Sequence, residues 1–150
     1  MGSKKNVKSK QTPEPRSVVV KNNPDEFYSL SPSWCFNDCD DDMWPFNEEH
    51  IGNSFWSKVL PYLKNLEKQT WQEILVDDKK KNHGIIVSDL NSIAQKRLAE
   101  KYIECEAIYS LRVNGTNRIY GQIIKGVFYV LWYDDDHGDN DRCVCRSYKK

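Results

Sequence analysis

The sequence predicts an α+β fold: two to three helices packed on a small antiparallel sheet that ends in a three-stranded meander. Residues 107–133 carry three runs rich in β-branched and aromatic side chains, split by Asn114-Gly115 and Lys125-Gly126. Turn dipeptides between alternating runs signal hairpins, so strands are expected at about 107–113, 117–124 and 127–133. Upstream, apolar residues recur at helical spacing from Trp56 to Leu66 and again from Leu90 to Leu98. Aromatic residues make up 12% of the 150, with five Trp, which argues against wholesale disorder.

Taken in order, residues 1–26 read as a disordered basic tail. The first 21 carry six Lys/Arg against one Glu, and Val18-Val19-Val20 is their one apolar run. A solvated tail is the plainer reading; as a nucleic-acid arm it would add salt-sensitive, sequence-independent affinity. Residues 27–150 then form a single α+β domain with a polar C-terminal tail, since five Asp and four Lys/Arg fall between 134 and 150.

Trp34 and Phe36 share a face under strand alternation, so a short strand is expected at the sheet edge. Asp38, Asp40, Asp41 and Asp42 read as an exposed acidic loop. The Gly and terminal Glu of a calcium loop are not at their required positions. Trp44-Pro45-Phe46 pins that loop to the core. Asn53 or Ser54 caps a helix whose stripe is Trp56, Val59, Leu60, Leu63 and Leu66, with Pro61 kinking it or marking its first turn. Thr70 and Glu73 make a capping box. Residues 77–84 have loop composition, and Lys79-Lys80-Lys81 reads as a solvated turn. Ile85-Ile86-Val87 is a short apolar stretch, after which Ser88 caps the strongest helix, with Leu90, Ile93, Ala94, Arg97 and Leu98 on one stripe.

The formal net charge is zero, yet the charges are segregated. Residues 22–49 hold eight Asp/Glu and no Lys/Arg, while 107–133 hold Arg112, Arg118 and Lys125 and no acid. Local fields act over roughly ~10 Å, so these blocks matter more than the total. Five cysteines, no apolar run near the ~18 residues of a membrane span, and no secretory signal point to a reduced cytoplasmic protein without membrane contact.

Alternation assigns the faces of the meander. Tyr109, Leu111 and Val113, then Ile119, Gly121 and Ile123, face the helices. The third strand sets Phe128, Val130 and Trp132 against Val127, Tyr129, Leu131 and Tyr133. The opposite face of the first hairpin collects Arg112, Arg118, Tyr120 and Gln122. Two arginines side by side cost energy unless an anion lies between them, so a phosphate-facing surface is one reading. Tyrosines there would stack on bases. Arginines paired with helix carboxylates on an ordinary amphipathic sheet are the other reading.

Helices followed by a meander, with Tyr109-Ser110-Leu111-Arg112-Val113, Asn117-Arg118-Ile119-Tyr120, Val127-Phe128-Tyr129-Val130-Leu131 and a His after the third strand, resemble the RelE/ParE/HigB superfamily of small bacterial toxins over about residues 54–137. The resemblance implies a toxin–antitoxin protein that cleaves mRNA on the ribosome as a metal-independent endoribonuclease, without a cofactor, and an antitoxin partner. Such cleavage needs a base for the 2′-hydroxyl, a cation for the phosphorane and an acid for the leaving oxygen. Carried over by position, Arg112, Arg118, Tyr120 and His137 are the catalytic set. Arg112, Arg118, Tyr120, Gln122 and Lys125 are the RNA-binding set. Asp134-Asp135-Asp136 departs from the pattern by repelling RNA, and the C-terminal basic cluster is thin. The second class of function is a non-catalytic module of the same fold that binds RNA or a protein. Cys35, Cys39, Cys143 and Cys145 form a further constellation. Only the first pair has ordinary zinc spacing, so dispersed thiols compete with a structural zinc site.

Overall fold

A computed structural model describes residues 27–136 and 143–145. The expected basic tail, most of the C-terminal tail and His137 lie outside the described residues. The fold is α+β, as expected, but its sheet is mixed and larger. Strands β1 (Ser33–Cys35), β2 (Asn82–Ile86), β3 (Ala107–Asn114), β4 (Asn117–Ile124) and β5 (Val127–Asp134) form one five-stranded sheet in the order β1-β5-β4-β3-β2. β1 runs parallel to β5 at one edge, through Trp34 opposite Phe128. The other neighbours are antiparallel. Residues 78–81 form the expected turn, but β2 corrects the loop reading at 82–84. Asn82-His83-Gly84 has little intrinsic strand preference and becomes extended by pairing with Leu111, Ser110 and Tyr109 of β3.

Both faces of the sheet are buried, not one. On the first, Val59, Leu63, Leu66, Trp71 and Ile74 pack against Leu111, Ile119, Ile123, Phe128, Val130 and Tyr133. On the second, Leu90, Ala94 and Leu98 pack with Val144 and Cys145 against Ile108, Tyr120, Leu131 and Trp132. The three helices α1 (Glu48–Ile51), α2 (Leu60–Leu66) and α3 (Ser92–Glu100) are thus divided between the layers. The open basic face expected on the first hairpin is covered, because α3 spends its apolar stripe there.

A bulge reassigns the third strand. Tyr120 pairs with Trp132, but Gly121 pairs with Val130, which leaves Leu131 as an extra residue on β5. The extra residue reverses the alternation beyond it. Trp132 therefore joins the second core and Tyr133 the first, opposite to simple alternation. Gly121 makes this approach possible: a Cβ there would collide with the Tyr129 carbonyl oxygen and lie 2.7 Å from Phe128 Cε2. Lys125 (φ 54°) and Gly126 (φ 89°) form the second hairpin turn with both central residues left-handed, the geometry that matches strand twist. Gly115, in the Asn-Gly pair, keeps a negative φ.

The helices deviate from plain α winding in places that move side chains. Phe55–Val59 is π-helical and runs into α2, whose first turn accepts Pro61. The wider winding carries Trp56 out of the expected apolar stripe, and it stands 69% exposed while Val59, Leu63 and Leu66 stay buried. The Thr70 capping box forms, with the Thr70 N–H donating to Glu73 Oε1 at 2.9 Å and the Glu73 N–H to Thr70 Oγ1 at 3.3 Å. α3 is capped by Asn91, not Ser88; the Asn91 side chain accepts the Ile93 N–H at 2.9 Å. Val87–Asp89 is a short 3-10 turn, so the helix begins one turn later.

The acidic loop is not wholly exposed either. Asp40 is fully buried and accepts five hydrogen bonds: from Arg97 Nε (2.7 Å) and Nη2 (2.8 Å), Trp132 Nε1 (3.0 Å), and the Asp42 and Met43 N–H groups (2.9 and 3.1 Å). Burial by itself raises a carboxyl pKa. Here Arg97 and the other donors outweigh it and hold Asp40 well below the usual carboxylate range.

Two stability predictions result. Asp40→Ala lowers stability at pH 7 by about 3 kcal/mol, because Arg97 and the Trp132 indole lose their acceptor. The depressed pKa makes Asp40's contribution complete above the unfolded-state value of about 4 and lost as pH falls below it. Thermal melts from pH 7 down to pH 2.5 should therefore fall more steeply for the native chain than for Asp40→Asn. Equal slopes would remove Asp40 from the acid transition. For the bulge, Gly121→Ala costs about 1–3 kcal/mol by urea unfolding. Gly115→Ala, with open space at its Cβ, stays within about 0.5 kcal/mol of the native chain.

Candidate nucleic-acid interface

The first hairpin sets the geometry of the candidate site. β3 and β4 pair with Arg112 directly opposite Arg118, so both guanidinium groups leave the same face of the sheet at its turn end. Their environments differ. Arg112 is exposed, whereas Arg118 is only 6% exposed. Arg118 Nη1 donates to the carbonyl oxygens of Gly115 (2.6 Å), Asn117 (3.2 Å) and Asn114 (3.3 Å), which clamps the β3–β4 turn. Burial, then the neighbouring Arg112 charge, lowers its pKa, while Asp134 opposite it on β5 partly offsets this.

Tyr120 is fully buried, so no ring face is open to stack on a base. Its hydroxyl meets Cys145 Sγ at 3.0 Å, and burial raises its pKa well above the ordinary value. Gln122 is half-buried and hydrogen-bonds the Cys105 side chain. Lys125 is exposed at the far end of β4, seven residues from Arg118, a separation of roughly 23 Å at strand rise. The fold therefore brings Arg112, Arg118 and Tyr120 to one end of the sheet face and leaves Lys125 at the other. His137 falls outside the described residues.

Two histidines do lie at the sheet, and neither was expected there. His50 Nε2 is 3.0 Å from the Tyr133 carbonyl oxygen and 3.9 Å from Asp135 Oδ1. With Trp44 and Asp134–Asp136 it lines a cleft of about 330 Å³. Asp134 itself is buried, accepting the Val144 N–H at 2.8 Å and the Asp136 N–H at 3.0 Å, and burial raises its pKa. The other histidine, His83, is exposed on β2 opposite Ser110.

His83 belongs to a basic edge that the sequence presented only as a charged turn. Asn82, 3% exposed, anchors it. Asn82 Oδ1 accepts the Arg112 N–H at 2.9 Å and the Tyr62 hydroxyl at 3.2 Å, and its Nδ2 donates to the Ile74 carbonyl at 3.3 Å. Lys79, Lys80 and Lys81 are exposed and enter β2 at this point, beside exposed Arg112. Lys81 makes a long contact of 3.9 Å to Asp78 in water, a pair that stabilises little. The edge thus sets three lysines, His83 and Arg112 in solvent behind Asp77 and Asp78, with its base fixed by the Asn82 hydrogen bonds. No local sequence signal marks this edge, because the burial of Asn82 and its approach to Arg112 depend on pairing with β3.

The cysteines do not converge. Cys39 packs with the first core and Cys145 with the second. Burial, then Asp38, pushes the Cys39 thiol up to about 12, and burial pushes Cys145 up to about 11. Among the described residues no group of three or more His, Cys, Asp or Glu could hold a metal ion. No helix among them is long and apolar enough to cross a membrane. No family model, curated protein or solved structure gives a match to this chain.

The two arginines have distinguishable roles. Arg118→Ala lowers stability by about 1–3 kcal/mol, since three carbonyls lose their donor. Arg112→Ala stays within about 0.5 kcal/mol. Urea unfolding of both variants checks this; equal, small effects would mean that Arg118 does not clamp the turn.

Proposed function

We propose that this chain is a RelE-like module that binds RNA without cleaving it. The observation that carries this reading is the exposed cationic edge of Lys79, Lys80, Lys81, His83 and Arg112, held in place by buried Asn82. Four permanent charges on one rigid edge suit a run of phosphates. Binding of this kind is electrostatic and needs no base-specific contact. Catalysis draws less support. A cleaving site needs groups that reach the 2′-hydroxyl and the leaving oxygen, and Tyr120 lies under Cys145 and α3.

The toxin reading, a ribosome-dependent mRNA endoribonuclease held by an antitoxin, keeps one supporting observation: Arg112 opposite Arg118 at the turn end of the hairpin. Growth separates the two. The module reading expects expression in bacteria to leave growth unchanged. Arrest that Arg112→Ala relieves, at matched protein level, would favour the toxin.

For binding, four cations on a single strand give a log–log salt slope of about −3, or on the order of a 50-fold loss between 50 and 200 mM salt. A labelled single-stranded RNA titrated in that range should show it. Replacing Lys79, Lys80 and Lys81 by Ala together with Arg112→Ala should flatten the slope while the basic residues before position 22 remain. An unchanged slope would move RNA binding away from this edge.

A further inference from the structure

The residues around α1 leave an aromatic groove open. Phe46, Glu48, Ile51, Gly52, Phe55 and Trp56 line a concavity of about 470 Å³. Its rings form a continuous run. Phe36 and Phe46 have centroids 5.5 Å apart, Phe46 and Phe55 6.4 Å, and Phe55 and Trp56 5.1 Å. Both ends of the run stand in water, Phe36 at 43% and Trp56 at 69% exposure. Trp56 is placed there by the π-helical winding of Phe55–Val59, an arrangement that recurs at functional sites. A contiguous exposed apolar patch with a polar rim marks an interaction surface. Exposed Glu48 stands in the lining, and exposed Glu49 follows it in α1, so this side of the groove is acidic.

We infer that this groove docks an amphipathic segment of a partner protein. An apolar side chain of that segment inserts among Phe46, Phe55 and Trp56, and its Lys or Arg side chains meet Glu48 and Glu49. Charge complementarity selects this occupant. The acidic rim repels nucleic acid, and a cation over the indole face of Trp56 gains a further attraction. The groove shares no residue with the Lys79–Lys81 and Arg112 edge, so the inference does not rest on the RNA reading.

The probe is a fluorescein-labelled synthetic 14-residue peptide of Leu and Lys in helical spacing, with a version in which every Lys is Glu as control. The full chain should bind the Lys peptide saturably and ignore the Glu peptide. Trp56→Ala should weaken binding at least about tenfold, as loss of a central aromatic anchor does. The double variant Glu48→Lys, Glu49→Lys, on exposed positions that leave the core alone, should weaken it about fivefold and reduce its salt dependence. No saturable binding, or equal binding to the native chain and to both variants, overturns the proposal. So does binding that appears only after Val18, Val19 and Val20 are replaced by Asp, because the groove's occupant is then the chain's own N-terminal segment.

Discussion

The carboxylate of Asp40 ties together three parts of the chain that lie far apart in sequence. One oxygen takes the two amides of its own loop and one nitrogen of Arg97; the other takes the second Arg97 nitrogen and the Trp132 indole. The Asp40 backbone adds a bond to the Leu131 carbonyl at 3.0 Å and accepts from Phe46 at 3.1 Å. Loop, α3 and β5 are thereby fixed at one point. A buried ion pair is a weak source of net stability, because desolvation consumes most of the attraction. Its effect here is positional. With Arg97 held, α3 lies across the second face of the sheet, and with Leu131 held out of register, β5 keeps its bulge.

That placement decides what surface remains for function. A sheet buried on both faces offers partners only its edges, its turns and the ends of its helices. Tyr120 is a core residue for this reason: Leu90, Ala94, Leu98 and the short segment at Val144 close over it. Arg118 is drawn into the same layer and meets backbone carbonyls in place of a ligand. Arg112 escapes because it lies one residue beyond the last covered pair, where β2 begins and the lysine turn arrives. The same local pattern that resembles a phosphate-binding hairpin thus divides into one structural arginine and one exposed arginine.

The parts of the fold legible in the sequence are those set by neighbours along the chain. The meander strands at 107–113, 117–124 and 127–133 differ from the observed ends by one residue at most, because turn dipeptides and alternation are local. The Thr70 box and the edge strand at Trp34 are local for the same reason. What escaped depends on contacts distant in sequence. Asp40 meets Arg97 across 57 positions and Trp132 across 92, so a run of four acids within residues 38–42 reads as a solvated loop. Leu131 bulges because Gly121 lets the strands approach, which no periodicity records. β2 is a strand only because β3 offers it an edge. At the candidate site, alternation puts Arg112 and Arg118 on one face of the hairpin, while their direct pairing depends on a register shift between Arg112 and Asn114 that the turn dipeptide does not reveal. Their exposure depended on α3 and was out of reach.

The segregated charge acquires a spatial meaning from this architecture. A net charge of zero conceals an acidic stretch before residue 50 and a cationic edge at β2–β3. Inside the fold Asp40 meets Arg97, whose other side reaches Glu100 at 3.0 Å, and buried Arg118 lies opposite buried Asp134 on the neighbouring strand. Charges in water are screened over about 10 Å. Exposed charge of one sign costs the folded state some self-repulsion. Asn82 fixes the base of the lysine turn and the π-helical winding at Phe55–Val59 exposes Trp56, so both features depend on local backbone geometry and not on the net charge.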